Sequence, residues 1–234
     1  IRDRLQGAGI DIAGAGDTVA DACLPAILEI DDETRVLVFA WATHSAGVPD
    51  EWAASTERNG INLLTDLSAG TVRRIARDVE RVKRPGDIAV ASIHWGGNWG
   101  FKVPSSHQSF AHQLIDDAGI DVIHGHSSHH VKAIEIYRGK PILYGCGDFI
   151  NDYEGISGHE QYRGDLALMY FLTVNSDNGQ LQRLAMTPMQ IKNFCVNHAD
   201  AKDRQWLLST MQRESRPFGV EVRTTEAGSL MADW

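Results

Sequence analysis

The sequence predicts an α/β protein of mixed β-sheets flanked by helices, and three observations carry that expectation. Residues 69–84 show an amphipathic helical period, and residues 87–94 follow as an uninterrupted apolar strand. Such a strand belongs inside a sheet covered on both faces. Residues 105–118 repeat the helical pattern and residues 120–124 the apolar strand, so a right-handed parallel strand–helix–strand crossover is expected. Paired β-rich runs elsewhere read as hairpins, which makes the sheets mixed rather than purely parallel.

Taken in order, the first nine residues look like the end of a helix stopped at Gly7 and Gly9, and residues 10–13 are a short strand candidate. Residues 26–30 and 35–40 read as a hairpin, because Asp31-Asp32-Glu33 is a polar turn between β-rich runs. Residues 41–64 have no sustained period and read as loop with irregular helix. In the helix over 69–84, Val72, Ile75, Ala76, Val79 and Val82 share one face, and Pro85-Gly86 stops it. Its other face, Arg73, Arg74, Arg77, Arg81 and Arg84, reads first as a solvated surface. The helix over 105–118 directs Phe110, Leu114 and Ile115 inward. Further hairpins are expected over residues 131–144, turning at Arg138-Gly139-Lys140, and over 166–191, turning at Asp177-Asn178-Gly179. Residues 199–213 form a closing amphipathic helix with Trp206, Leu207 and Met211 apolar. No repeat or linker composition appears, so residues 1–234 read as a single domain.

A chain of 234 residues with 43% hydrophobic and 23% charged residues has the composition of a globular protein with a real core. The net charge of −9 argues against a nucleic-acid partner, which needs a basic face. An anionic substrate stays open, because a bound metal ion supplies its own positive charge. No apolar run approaches the ~20 residues of a membrane helix. Cys23, Cys146 and Cys195 are too few and too scattered for a disulfide framework or a cysteine zinc site, and Cys146 reads as a small buried residue.

The chemistry concentrates in two strand ends. His124, His126, His129 and His130 follow the apolar Val122 and Ile123, with Gly125 among them. Histidine is the commonest metal ligand, and glycine lets the backbone fold closely around an ion. Thirty residues earlier another β-branched strand ends in His94, followed by Gly96 and Gly97. Open α/β folds build their sites outside the carboxyl ends of strands.

The HWG of residues 94–96, the GHSSH of residues 125–129 and the IEIYRGKPILYGCGDFIND of residues 134–152 resemble the CapA/PgsA family of poly-γ-glutamate capsule-synthesis proteins. That family is a branch of the calcineurin-like metallophosphoesterases. The likeness runs from Ile1 to about Gly219, with Gly145-Cys146 and Asp148 standing where Ser-Leu and Asn are commoner. It implies a metallophosphoesterase-like fold that binds two divalent ions (Mn, Fe or Zn), with His94, His126 and His129 as imidazole ligands. The family's early ligands, in its GD and NNH motifs, have no counterpart in this sequence. The expectation is therefore an N-terminally truncated form lacking the first third or so of the family fold, inactive by itself.

Several residues carry second roles under this reading. Period two points His124 away from the direction of His126, towards the core or a ligand-supporting position. His130 reads as ligand support, substrate contact or plain exposure. Asn98 offers an amide to an anionic substrate. Asp148 reads as a turn cap ahead of a metal ligand, and Asp152 and Glu154 lie in the same loop. His44, His107, His112, His159 and His198 carry no motif and read as surface or packing residues. The function implied is capsule-type polymer synthesis with a metal-dependent hydrolase site acting on a phosphoester or an anionic polymer. A non-catalytic polymer-binding scaffold of the capsule machinery and a metal-dependent poly-γ-glutamate amidase are the alternatives.

Overall fold

The computed structural model describes residues 2–151 and 156–234. The chain divides into two compact units that share it in alternating segments. Residues 1–96, 104–123 and 176–179 form the first, and residues 97–103, 124–175 and 180–234 the second. A chain that passes repeatedly from one unit to the other has no single linker to show in its composition.

In the first unit, α1 (Arg2–Gly7) ends before Gly9, whose φ is 71°. The strand expected at residues 10–13 is absent; pairing falls instead on β1 (Ala15–Gly16), antiparallel to residues 60–61. Close approach decides this position rather than β-propensity, since a Cβ on Gly16 would lie 2.3 Å from Ala22 N. Thr18 and Asp21 form a capping box on α2 (Val19–Ala22).

The expected hairpin is present: β2 (Ala26–Glu29) pairs antiparallel with β3 (Arg35–Thr43), and Asp31 Oδ1 closes the turn by accepting from Thr34 N at 2.7 Å. The irregular stretch contains two 3-10 turns, β4 (Gly60–Ile61) and β5 (Leu63–Leu64). Because β5 pairs parallel with Ala42 and Thr43, β3 runs past its expected end.

The first long helix, α3 (Ala69–Glu80), is capped by Ser68 and buries Val72, Ile75 and Val79. After Gly86, whose φ is 88°, the chain enters β6 (Ile88–His94), parallel to β3 from Val36↔Ile88 to Ala42↔His94. One strand with an antiparallel and a parallel neighbour makes this sheet mixed, as expected. At its base Arg35 Nε donates to Asp87 Oδ1 at 2.9 Å. The next helix, α4 (Ser105–Asp117), buries His107, Phe110 and Leu114, while Ile115 is only half-buried. Leu37, Phe39, Ile75, Ala91, Ile93, Phe110 and Leu114 are each 0–1% exposed and form the core of this unit.

The strand β7 (Val122–His126) begins in the first unit and ends in the second. There β8 (Ile134–Tyr137) and β9 (Lys140–Leu143) form a hairpin whose turn residues, Arg138 and Gly139, have φ of 49° and 75°. Two positive φ values match the right-handed twist of the flanking strands. The long hairpin of β10 (Leu166–Val174) and β11 (Leu181–Lys192) is followed by β12 (Cys195–His198), which the sequence did not reveal.

The helix α5 (Ala201–Ser215), capped by Asp200, does not close the chain: β13 (Glu221–Thr224) and β14 (Leu230–Asp233) come after it. These strands build a sheet of order β10-β11-β14-β13, with β12 also on β11. Leu207 and Met211 of α5 pack with Leu184, Met186, Val222 and Leu230, all 0–2% exposed. Burying each such side chain contributes roughly 1.5–3 kcal/mol. Among the described residues no helix is long and apolar enough to cross a membrane.

Candidate functional site

In the first unit β6 delivers His94, which is half-buried, and Thr43 Oγ1 donates to its carbonyl at 3.1 Å. The loop after it is anchored: Gly96, at φ 76°, donates its N–H to Ser45 Oγ at 2.9 Å. Trp95 is buried and stacked on His107, with centroids 4.6 Å apart and planes 8° from parallel. His107 is thus a packing residue, as its lack of a motif suggested.

The other candidates gather in the second unit. The strand expected to stop at His124 continues through His126. Side chains two apart on a strand share a face. The structure therefore reverses the expectation for His124: its ring lies beside that of His126, with centroids 5.4 Å apart. Burial lowers the His124 pKa, which favours the neutral imidazole that ligates metals.

Past His126 the backbone turns sharply. Ser127 has a φ of 123°, a strained value for any residue but glycine, and such strain clusters at functional sites. Cys146 N donates to Gly125 O at 3.1 Å and Lys132 N to Gly145 O at 2.8 Å, which clamp the turn. Gly145 permits close packing there, since a Cβ would lie 2.5 Å from Ser128 Oγ and would require that side chain to shift. Burial pushes the Cys146 thiol up to about 12, so it is an inert small residue, as expected.

His129 N donates to Asn98 O at 3.0 Å, and its Nδ1 lies 3.0 Å from both carboxylate oxygens of Asp148. Asp148 thus holds an imidazole rather than serving only as a turn cap. An Nδ1–H engaged by a carboxylate leaves Nε2 as the lone-pair nitrogen and fixes the ring's direction. Asn98 contributes its main-chain carbonyl to this arrangement, while the residue itself is exposed.

His130 is 0% exposed, which removes the reading of an exposed loop side chain. Its Nδ1 donates to Val131 O at 2.9 Å, and its ring lies 4.8 Å from those of both Phe101 and Tyr162. Burial lowers its pKa to about 4, and its Nε2 is buried without a hydrogen-bond partner.

Beside His129 and Asp148 opens a cavity of about 450 Å³, walled also by Trp99, His159, Arg163 and Asp165. Trp99 stacks on His159 with centroids 4.3 Å apart. Arg163, in the left-handed region at φ 50°, donates to Asp165 Oδ1 at 2.7 Å and Asp203 Oδ1 at 2.8 Å, and these bonds raise its pKa. Sequence reasoning missed Trp99, His159 and Arg163 as cavity residues. They come from segments sixty positions apart in sequence, and only the Trp99 loop stood near a motif. Asp152 and Glu154, noted in the loop after Asp148, lie outside the described residues. Among the described residues, no group of three or more His, Cys, Asp or Glu side chains converges so as to hold a metal ion.

Mixed β-sheets with flanking helices, and histidines delivered at strand ends, define an α/β protein with a histidine-rich candidate site. The chain matches the family model of bacterial capsule synthesis protein PGA_cap over residues 1–153, and it belongs to that family. Proteins from two strains of Mycobacterium tuberculosis, each named a probable polyglutamine synthesis accessory protein, are 47% identical over 221 residues. That match covers 94% of this chain and 58% of theirs. The PGA biosynthesis protein CapA of Bacillus subtilis is 31% identical over 113 residues, covering 48% of this chain and 27% of that protein. The capsule biosynthesis protein CapA of Bacillus anthracis is 26% identical over 145 residues, with shares of 62% and 34%. The chain thus spans little more than half the length of its mycobacterial relatives.

Proposed function

We propose that this protein acts as an accessory in the synthesis of a glutamate polymer, and that His126 and His129 contribute to a divalent-metal site of hydrolase type. Family membership and the names of the relatives support the first half. The His129–Asp148 pair is the single observation that carries the second, because a carboxylate on the far nitrogen is how ligating imidazoles are oriented.

The described residues do not by themselves amount to a complete metal cradle, so no reaction step is derived through a metal. What these residues do is narrower. Asp148 directs His129, the clamped turn at Ser127 presents His126 beside His124, and Trp99 and His159 wall the adjoining cavity. In the full centre the ions (Mn, Fe or Zn, two by the family resemblance) would supply Lewis acidity and an activated water.

Elemental analysis of the longest natural form of the protein, with His126→Ala and His129→Ala variants, tests this reading. Near two ions per parent chain, lost in both variants without loss of the melting transition, is the expected result. A metal-free parent would overturn the hydrolase half and leave the non-catalytic polymer-binding scaffold. A metal-bearing parent tested on phosphoester and poly-γ-glutamate substrates separates the phosphoesterase reading from the amidase one.

A further inference from the structure

The chain is acidic, at −9 overall, yet α3 and its cap gather Arg73, Arg74, Arg77 and Arg81 on the side away from the core. Sequence pattern alone makes such a row a solvated face. Two structural observations change that reading. Among the described residues no carboxylate is ion-paired or hydrogen-bonded to Arg73, Arg74 or Arg77, while the exposed Arg81 donates from Nη1 to the half-buried Asp78 at 3.1 Å. The row also borders a groove of about 450 Å³, with Arg74, Arg77 and Arg81 along one side, a single carboxylate, Asp78, bound to Arg81 among them, and Val19, Leu24 and Val82 in its apolar lining. Leu24, at 57% exposure, leaves that apolar wall open to solvent.

We propose that this groove binds a carboxylate-bearing polymer chain, a reading that rests on the polymer-synthesis function above and specifies its ligand. Seven residues of helix separate Arg74 from Arg81, so the row presents three guanidinium groups over about 10 Å. Guanidinium is the cation best matched to carboxylate, offering two parallel N–H donors to its two oxygens. The apolar lining gives the methylene groups of a glutamate chain a surface to lie on. A glutamine polymer has the same methylenes but no charge, so the arginines would discriminate between the two. The short row on a strongly acidic molecule favours a small, flexible carboxylate chain over duplex DNA, whose affinity grows with the number of phosphates neutralised.

The test is fluorescence anisotropy with labelled glutamate oligomers on the chain and on its Arg74→Glu/Arg77→Glu variant. A soluble glutamine oligomer, duplex DNA and phosphatidylserine vesicles serve as competing probes. Expected are binding of the glutamate oligomer, at least tenfold weakening in the variant and in 0.5 M salt, and recovery in Arg74→Lys/Arg77→Lys. Arg77 is exposed and Arg74 half-buried, and an unchanged thermal melt verifies that the variant folds. Equal binding by parent and variant, equal binding of the glutamine oligomer, or preference for DNA or vesicles would each overturn the proposal. If the glutamate oligomer binds the parent and the charge-reversed variant alike, the arginine groove fails and the polymer function stands. If it binds neither, the groove proposal fails, and the synthesis role is judged separately by polymer yield from cells lacking the natural protein.

Discussion

The chemistry of this protein turns on which nitrogen of which histidine is held, and by what. His129 is oriented from both ends, through its backbone N–H on Asn98 and its ring on Asp148. If that orientation serves a metal, Asp148→Asn should lower affinity for Zn²⁺ or Mn²⁺ by roughly 10- to 100-fold, the usual cost of losing such a supporting partner. Calorimetric titration of the metal-stripped natural protein checks this, and unchanged affinity would confine Asp148 to a structural role. His124 was misjudged from the sequence for a definite reason. Where the strand stopped decided which way the ring faced, and strand ends are set by partners that local pattern does not name. His130 shows the converse: adjacent to His129, it is spent on an aromatic cage of Phe101, Tyr162 and Trp99.

The strand β6 positions His94, and its own integrity rests on burial. Ile93 is 0% exposed and lies in the strand paired along β3. An unpaired carboxylate there costs several kcal/mol or more, so Ile93→Asp should abolish the cooperative thermal transition seen by circular dichroism. A folded, soluble variant would refute the central placement. At the other end of the same two strands, Arg35 ties β3 to Asp87, whose side chain is 1% exposed. Asp87→Ala should destabilise by roughly 1–3 kcal/mol in urea denaturation, because it leaves the Arg35 guanidinium without its carboxylate and with only Val82 O as acceptor.

The same pair predicts a pH dependence. The Arg35 hydrogen bonds lower the Asp87 pKa below the ordinary carboxylate value, so the folded state binds fewer protons than the unfolded one in acid. Its contribution is therefore full above about pH 5 and is lost as pH falls through the lowered folded value. Stability of the parent should fall more steeply below about pH 4 than that of Asp87→Ala, measured as urea midpoints across the acid range.

Across the molecule the charge is negative, −9, and its basic residues are scattered apart from the short row of Arg73, Arg74, Arg77 and Arg81 on α3 and its cap. That distribution predicts no measurable retention of random duplex DNA at about 0.15 M salt, where electrostatic contacts are screened beyond about 8 Å. A gel-shift titration decides it, and tight DNA binding would contradict the reading of the charge balance.

The helices α3, α4 and α5, the strand β6 and the hairpins β2–β3 and β10–β11 were legible in the sequence. The helices bury one face and so carry a period near 3.6, β6 shows as a continuous apolar run, and the hairpins show as paired β-rich runs around polar turns. The short strand at Ala15–Gly16 was not legible, because the close approach of backbones at Gly16 places it, and that depends on Ala22 lying opposite. The β12 strand and the β13–β14 hairpin were missed because short strands leave too few residues for a period to show. By itself the sequence determined the fold class, the family and the histidines worth watching, since these are recorded in local pattern and motif. Only the tertiary structure decided that His124 lies beside His126, that Asp148 holds His129 and that Trp99, His159 and Arg163 wall one cavity. Those relations join residues distant along the chain, and folding, not spacing, brings them within reach of a hydrogen bond.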